Sequence, residues 1–216
     1  MVKAVLFDLD GTLWDRDGAV EALLETQHAE FAELTEVPRD AYLDRMLALD
    51  AHGLGDKRHA YEQVAGEFGL APDIADRLLN DFWTRYSFFF EPFPEVISTL
   101  HSLRTRGIKL GIITNGNTAI QESKIAGLGL APLMDMVLIS EREGIRKPDS
   151  AIFVRALERL NLEATDVWFV GDHPDADVRG AREAGLTAVW RRSFGHAPDA
   201  HHTISCLDQL EALLPI

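Results

Sequence analysis

The chain has 216 residues, a formal net charge of −14 at pH 7 and a sequence pI near 4.9. This excess of carboxylates makes a nucleic-acid backbone or an anionic membrane surface a poor partner. No apolar run approaches the roughly 20 residues of a membrane span, and a single cysteine excludes an intrachain disulfide. The first predicted strand leaves no room for a signal peptide, so the sequence predicts a cytoplasmic protein.

The first predicted strand, residues 3–7, ends at two closely spaced carboxylates. A short apolar run of this kind is typical of a buried parallel strand. Alternate side chains of a strand share a face, so Asp8 and Asp10 are expected to point the same way. Two like charges so close together need a shared cation or a shared proton. The stretch therefore predicts a metal site or a proton-sharing pair at the carboxyl end of the strand, where open α/β sheets bind ligands.

The segment that follows is helical. Residues 15–90 contain no convincing strand and show helical periodicity with proline and glycine breakers, which predicts a small bundle of four helices. We expect a cap domain over residues 15–91 and a core domain formed by residues 1–14 and 92–216. An insert that directly follows the first strand is expected to lie over the carboxyl end of the sheet as a lid.

Strands and helices alternate through the rest of the chain. Further buried strands are predicted over residues 109–113, 136–139, 167–170 and 187–190, with a short one at 203–204. Such alternation implies parallel strands with helices on both faces. The sequence therefore predicts an α/β fold, in which a three-layer Rossmann-like parallel sheet core carries an inserted four-helix cap.

Polar side chains stand at the ends of several predicted strands or on an adjoining loop. Parallel strands end at the same edge of a sheet, so these side chains are expected to meet. They are Asp8, Asp10, Thr114, Asn115, Lys147, Asp172 and Asp177. Phosphoryl transfer uses groups of these kinds. Asp8 can attack phosphorus, and Asp10 can protonate the leaving group and later activate water. Asp172 with Asp8 can hold a hard cation such as Mg²⁺.

These segments resemble the four motifs of the haloacid dehalogenase-like (HAD) hydrolase superfamily, and the resemblance covers essentially the whole chain. Residues 8–13 are similar to the first motif, 112–116 to the second, 146–149 to the third and 170–177 to the fourth. Four motifs in order, each at a predicted strand end or its loop, make a specific signal. The resemblance implies a Mg²⁺-dependent phosphatase that acts through an aspartyl-phosphate on a small phosphorylated metabolite, with a helical cap of the first type.

The resemblance also implies a role for each catalytic and phosphate-binding residue. Asp8 is expected to be the nucleophile and Asp10 the acid and base. Thr114 and Lys147 are expected to bind and orient the phosphoryl group, and Asn115 in the turn after Thr114 is assigned to the same site.

The metal site that the resemblance implies uses three aspartates. Mg²⁺ is expected on the side chains of Asp8 and Asp172 and on the backbone carbonyl of Asp10. Asp177 is expected to hold the water shell of the metal or Lys147.

Three other functions compete with a phosphatase. Family members that dehalogenate 2-haloacids lack the second aspartate, so the presence of Asp10 favours a phosphatase. A phosphomutase of the same family uses the same residues but returns the phosphoryl group to substrate. A non-enzymatic phospho-receiver or binding module also combines aspartates, Mg²⁺, a threonine and a lysine, but receivers are much shorter and carry no helical insert.

The loop at residues 53–59 carries the basic side chains that are candidates for contacting the substrate. Its glycines allow movement, and Lys57 and Arg58 are basic in an acidic chain. In resembling proteins such a loop selects the leaving group, so we expect Arg58 or Lys57 to contact substrate; the alternative is a solvated surface charge. Sugar phosphates, phosphoglycolate and nucleoside monophosphates all fit the predicted chemistry.

Overall fold

Within the part of the chain that the structure describes, a parallel sheet of six strands forms the centre of one of the two units into which the chain divides. The computed structural model describes residues 1–192 and 199–214. The first unit comprises Met1–Asp15 and Glu91–Ile216, and the second comprises Arg16–Phe90.

The strands of the first unit all run parallel in the order β3-β2-β1-β4-β5-β6. They are β1 (Ala4–Phe7), β2 (Lys109–Thr114), β3 (Met136–Ile139), β4 (Val167–Gly171), β5 (Thr187–Arg191) and β6 (His202–Ile204). Every residue of β1 is buried, because this strand lies between two neighbours. Phe7 is in register with Ile112 of β2 and Val170 of β4. The residues that follow these three strands therefore emerge at one edge of the sheet.

Helices pack against this sheet. Those of the first unit are α5 (Val96–Thr105), α6 (Thr118–Gly127), α7 (Ser140–Glu143), α8 (Ser150–Leu160), α9 (Gly180–Glu183) and α10 (Leu210–Leu213), with a π-helix at Pro174–Arg179. Helix α8 buries an apolar face in which Phe153 meets Phe169 of β4 edge to face, with ring centroids 5.0 Å apart. Burying one such side chain contributes about 1.5–3 kcal/mol. The predicted α/β class and Rossmann-like parallel core are confirmed.

The second unit is helical in all of its regular structure. Its α-helices are α1 (Arg16–Glu30), α2 (Arg39–Asp50), α3 (Lys57–Glu67) and α4 (Ile74–Arg85). Buried Gln27 of α1 joins the other three: its Oε1 accepts from the hydroxyls of Tyr42 and Tyr61, and its Nε2 donates to the Leu78 carbonyl. Because its polar atoms are hydrogen-bonded to all three, this buried side chain helps to hold the four helices in a fixed arrangement. The predicted role of residues 15–91 as a lid stays a prediction.

Candidate active site

The side chain of Lys147 joins two of the predicted site carboxylates. Its Nζ atom donates to Asp8 Oδ1 at 2.5 Å and to Asp177 Oδ1 at 2.7 Å. Asp8 follows β1 directly, and its backbone N–H donates to the Val170 carbonyl at 2.9 Å, which continues the pairing of β1 with β4. Lys147 comes from the segment between α7 and α8, and its side chain is 2% exposed. A buried ammonium must be paired, and both of its partners belong to the motifs.

Three carboxylates converge beside this lysine. One oxygen each from Asp8, Asp172 and Asp177 lies within 4.8 Å of the others. Asp172 follows β4, and the π-helix after it returns Asp177, whose Oδ2 accepts from the His173 N–H at 2.9 Å. Hard cations prefer carboxylate oxygens, so this donor set fits Mg²⁺.

The charge balance of the cluster also fits a cation. Burial raises the pKa of Asp8 well above its usual range; Lys147 opposes that rise, and Asp177 and Asp172 add to it. Burial likewise raises the pKa of Asp172 to about 7, with repulsion from Asp177 adding and Lys147 opposing. Burial alone would lower the pKa of Lys147, but Asp177 and Asp8 raise it above its ordinary value. Two of the three carboxylates contact the Lys147 ammonium, and a divalent cation would relieve the repulsion among the three.

Gly11 allows the first and fourth motifs to approach each other. Its φ of +77° lies in the left-handed region, and a Cβ atom built on it would stand 2.5 Å from Asp172 Oδ2. The next residue, Thr12, is fully buried and its hydroxyl donates to Asp172 Oδ1 at 3.2 Å. The glycine and threonine of the first motif therefore seat Asp172 beside the turn that carries Asp10.

The second motif supplies a buried hydroxyl and a clamp on the loop of Lys147. Thr114 ends β2 and is 1% exposed. The side chain of Asn115 binds the backbone of Lys147 twice: Nδ2 donates to its carbonyl at 2.9 Å, and Oδ1 accepts from its N–H at 3.0 Å. Asn115, which the sequence assigned to the phosphate, thus positions the backbone of the lysine in this structure.

Asn115→Ala is expected to cause a modest loss of stability and a larger loss of catalytic activity. The change removes both hydrogen bonds, so the free energy of unfolding should fall by about 1–3 kcal/mol. The loss of a fixed Lys147 should lower kcat/KM about 10-fold or more. Denaturant unfolding and steady-state kinetics measure the two effects, with Asn80→Ala, exposed on α4, as the control. Unchanged kcat/KM in the Asn115 variant would show that Asn115 does not position Lys147 for catalysis.

Asp10 is held by three side chains that the sequence analysis did not identify. Trp14 Nε1 donates to Asp10 Oδ1 at 2.9 Å, and Gln121 Nε2 donates to Oδ2 at 3.0 Å. Lys124 Nζ lies 2.8 Å from Oδ1 and 2.9 Å from Oδ2. Gln121 and Lys124 belong to α6, and their spacing of three on a predicted helix was the available signal.

Arg58 and Lys57 both lie in the helical unit and both form ion pairs. Arg58 is exposed, and its guanidinium donates to Asp76 Oδ1 at 2.6 Å. Lys57 pairs with Asp50, and its Nζ lies 5.1 Å from the centroid of the Phe82 ring. The structure therefore gives each cation a local partner, and contact with substrate stays a prediction.

The comparisons with known proteins agree with this geometry. A haloacid dehalogenase-like hydrolase model matches residues 2–185. A glyceraldehyde 3-phosphate phosphatase of Methanopyrus kandleri is 32% identical over 88% of this chain and 83% of its own length. A ribulose-1,5-bisphosphate 5-phosphatase of Halopiger xanaduensis is 34% identical over 88% of this chain and 84% of its own length.

A solved structure is similar to this chain over nearly its whole length. A 2-haloacid dehalogenase from Pseudomonas syringae is 31% identical, with a TM-score of 0.65 over 99% of this chain and 98% of that chain. Within the described residues, no helix is both long and apolar enough to cross a membrane. The family model and the relatives, taken with the four motifs at the sheet edge, show that the chain belongs to the haloacid dehalogenase-like hydrolase family.

Proposed function

We propose that this chain is a Mg²⁺-dependent phosphatase that hydrolyses a small phosphorylated metabolite through an aspartyl-phosphate on Asp8. The observation that carries the proposal is the convergence of Asp8, Asp172 and Asp177 around Lys147 at one sheet edge. A nucleophilic carboxylate, a cation site and a fixed ammonium together match what phosphoryl transfer requires.

The residues divide the reaction into two half-reactions. In the first, an Asp8 oxygen attacks phosphorus while the bond to the leaving oxygen breaks, and Asp10 gives that oxygen a proton. In the second, water attacks phosphorus, Asp10 takes a proton from the water, and the bond from Asp8 to phosphorus breaks. The ammonium of Lys147 and the hydroxyl of Thr114 bind the phosphoryl oxygens throughout. Mg²⁺, held by Asp8, Asp172 and the Asp10 carbonyl, would neutralise charge on those oxygens when bound.

The choice of a phosphatase over a dehalogenase depends on Asp10. The two curated relatives named above are phosphatases, and the structural relative is a 2-haloacid dehalogenase. Asp10 is present in this chain and is held by three side chains. A halide leaves without a proton, so a positioned acid at this point favours an oxygen leaving group.

A screen for phosphate release tests the proposal. Sugar phosphates, glyceraldehyde 3-phosphate, phosphoserine, phosphoglycolate and nucleoside monophosphates are each incubated with the protein and Mg²⁺, with and without a chelator. We expect steady release of inorganic phosphate from at least one of them, and loss of that release with the chelator. Conversion of a sugar phosphate to its isomer without phosphate release would favour the phosphomutase, and chloride release from a 2-chloroacid would favour the dehalogenase.

Mg²⁺ is expected to stabilise the fold through the acidic cluster. At a concentration 100 times its Kd, a ligand that binds only the folded state contributes about 2.7 kcal/mol, which raises Tm by several degrees. Asp172→Asn removes one ligand and should abolish most of this rise. Thermal unfolding with and without Mg²⁺ measures it, and Asp175→Asn, exposed on the adjoining π-helix, is the control. An equal rise in Tm for wild type and Asp172→Asn would place the Mg²⁺ elsewhere.

We also propose that the protein works in the cytoplasm. Cys206 is a free thiol, which suits a reducing compartment. Co-fractionation of the protein with cytoplasmic marker enzymes tests this location, and recovery with a secreted fraction would contradict it.

A further inference from the structure

Helix α6 presents two buried polar side chains, Gln121 and Lys124, to the site. The helix begins after the turn that follows β2, where the Asn117 side chain accepts from the Ile120 N–H at 3.3 Å. Residues three apart share a helical face. Gln121 is 2% exposed and Lys124 is 5% exposed. A buried amide and a buried ammonium are costly unless they are paired, so their partners show what they serve.

Both side chains pair with Asp10. Lys124 Nζ contacts both carboxylate oxygens, at 2.8 and 2.9 Å, and Gln121 Nε2 donates to Oδ2 at 3.0 Å. Trp14 Nε1 donates a further hydrogen bond to Oδ1 at 2.9 Å, and Lys124 Nζ lies 5.5 Å from the centroid of the Trp14 ring. Donors from α6 and from the segment between β1 and α1 thus fix one carboxylate group in one orientation. The Asp10 side chain is still 27% exposed, so it is held without being enclosed.

Gln121 also connects Asp10 to the phosphate-binding hydroxyl. Its Nε2 atom carries two hydrogens, and it lies 2.6 Å from Thr114 Oγ1 as well as 3.0 Å from Asp10 Oδ2. An amide nitrogen is only a donor, so Thr114 Oγ1 accepts here. The hydroxyl proton of Thr114 is then directed away from Gln121 and can be donated to a phosphoryl oxygen. One amide therefore sets the orientation of two groups that act on the same substrate.

We propose that Lys124 and Gln121 are positioning residues that hold the Asp10 carboxylate in place for its two proton transfers. This inference builds on the proposed function, because it gives these side chains a role only in the reaction of Asp10. An ion pair that merely stabilised the fold would change the free energy of unfolding and leave kcat of the folded protein unchanged. The proposed role makes the effect on turnover depend on Asp10.

A double-mutant cycle on kcat tests the proposal. Phosphate release from the alkyl phosphate that the screen identifies, whose alkoxide leaving group needs a proton, is measured with Mg²⁺ for wild type, Lys124→Met, Asp10→Asn and the double variant. A misplaced catalytic group typically costs about 100-fold, so Lys124→Met should lower kcat about 10- to 100-fold with KM changed less than about 3-fold. In the Asp10→Asn background the same change should alter kcat less than about 2-fold, because coupled residues are not additive. Lys109→Met, at the opposite end of β2, is the matched control and should keep wild-type kcat.

The outcomes separate the inference from the function on which it rests. If Lys124→Met lowers kcat by the same factor with Asp10 and with Asn at position 10, or does not lower kcat at all, the positioning role is overturned. Phosphate release by the wild-type protein would in either case still support the phosphatase. Absence of turnover by wild type on every phosphorylated substrate would overturn both. If Lys124→Met does not fold, Gln121→Leu takes its place in the same cycle, with the same expected loss and the same dependence on Asp10.

Discussion

Asp8→Asn is expected to lower kcat by about 10⁴-fold or more while the protein stays folded. An amide cannot form the aspartyl-phosphate, so the first half-reaction stops. Asn has the same shape as Asp, and Lys147 keeps its second partner, Asp177, at 2.7 Å. Burial and the neighbouring carboxylates of Asp177 and Asp172 raise the pKa of Asp8, so an amide at this position removes like-charge repulsion from the cluster. We therefore expect Tm to stay equal to that of wild type or to rise.

Phosphate release at high enzyme concentration and thermal unfolding measure these two results. Asp166→Asn, whose carboxylate pairs with Lys3 on the surface, is the matched control and should keep both kcat and Tm. Residual turnover of Asp8→Asn within about 10-fold of wild type would contradict a nucleophilic role, because loss of a nucleophile costs far more than that.

Lys147→Met is expected to have the largest effect on stability. The change leaves the three carboxylates of Asp8, Asp172 and Asp177 together without the ammonium that two of them contact. Breaking a buried ion pair in this way costs about 3–5 kcal/mol. The phosphoryl oxygens also lose a donor, so kcat/KM should fall about 100-fold or more.

The loss of stability should depend on pH in a definite direction. Without Lys147 the pKa values of Asp8 and Asp172 rise further, from a starting point that is about 7 for Asp172. The folded protein then holds protons that the unfolded chain, with ordinary aspartate pKa values of about 4, has released. Stability therefore falls as pH rises from about 4 through 7 and beyond, and the defect is smaller at pH 5 than at pH 8.

Denaturant unfolding at the two pH values, without added Mg²⁺, measures this dependence. The control is Lys3→Met, which removes an exposed pair with Asp166 and should cost about 1 kcal/mol or less at either pH. If Lys147→Met lowers the free energy of unfolding equally at pH 5 and pH 8, the ammonium does not offset the negative charge of the three carboxylates.

The parts of the site that could be predicted from the sequence are those carried by strand ends. Asp8, Thr114 and Asp172 each stand at or directly after a buried apolar strand. In a parallel sheet those ends meet whatever the details of packing. Lys147 lies on a loop, and only its place in the third motif indicated that it would belong to the site.

The parts that could not be predicted depend on which face of a helix points toward the site and on which of several possible partners a polar side chain binds. Gln121 and Lys124 lie on α6 among other polar residues, and the face that turns toward Asp10 depends on how that helix packs. Asn115 carries an amide that suits either a phosphate or a backbone. Its two bonds to Lys147 follow from the path of the loop, which the spacing of motifs does not specify.

Detection of a phosphoryl group on Asp8 would demonstrate the proposed aspartyl-phosphate intermediate directly. Asp10→Asn slows the attack of water, so it should accumulate the intermediate from p-nitrophenyl phosphate, whose leaving group needs no acid. After an acid quench, mass spectrometry of the peptide that contains Asp8 should show the added mass of one phosphoryl group, absent when Asp8 is replaced by Asn. Phosphate release by wild type, with no phosphoryl group on that peptide in the quenched Asp10→Asn variant, would contradict the account.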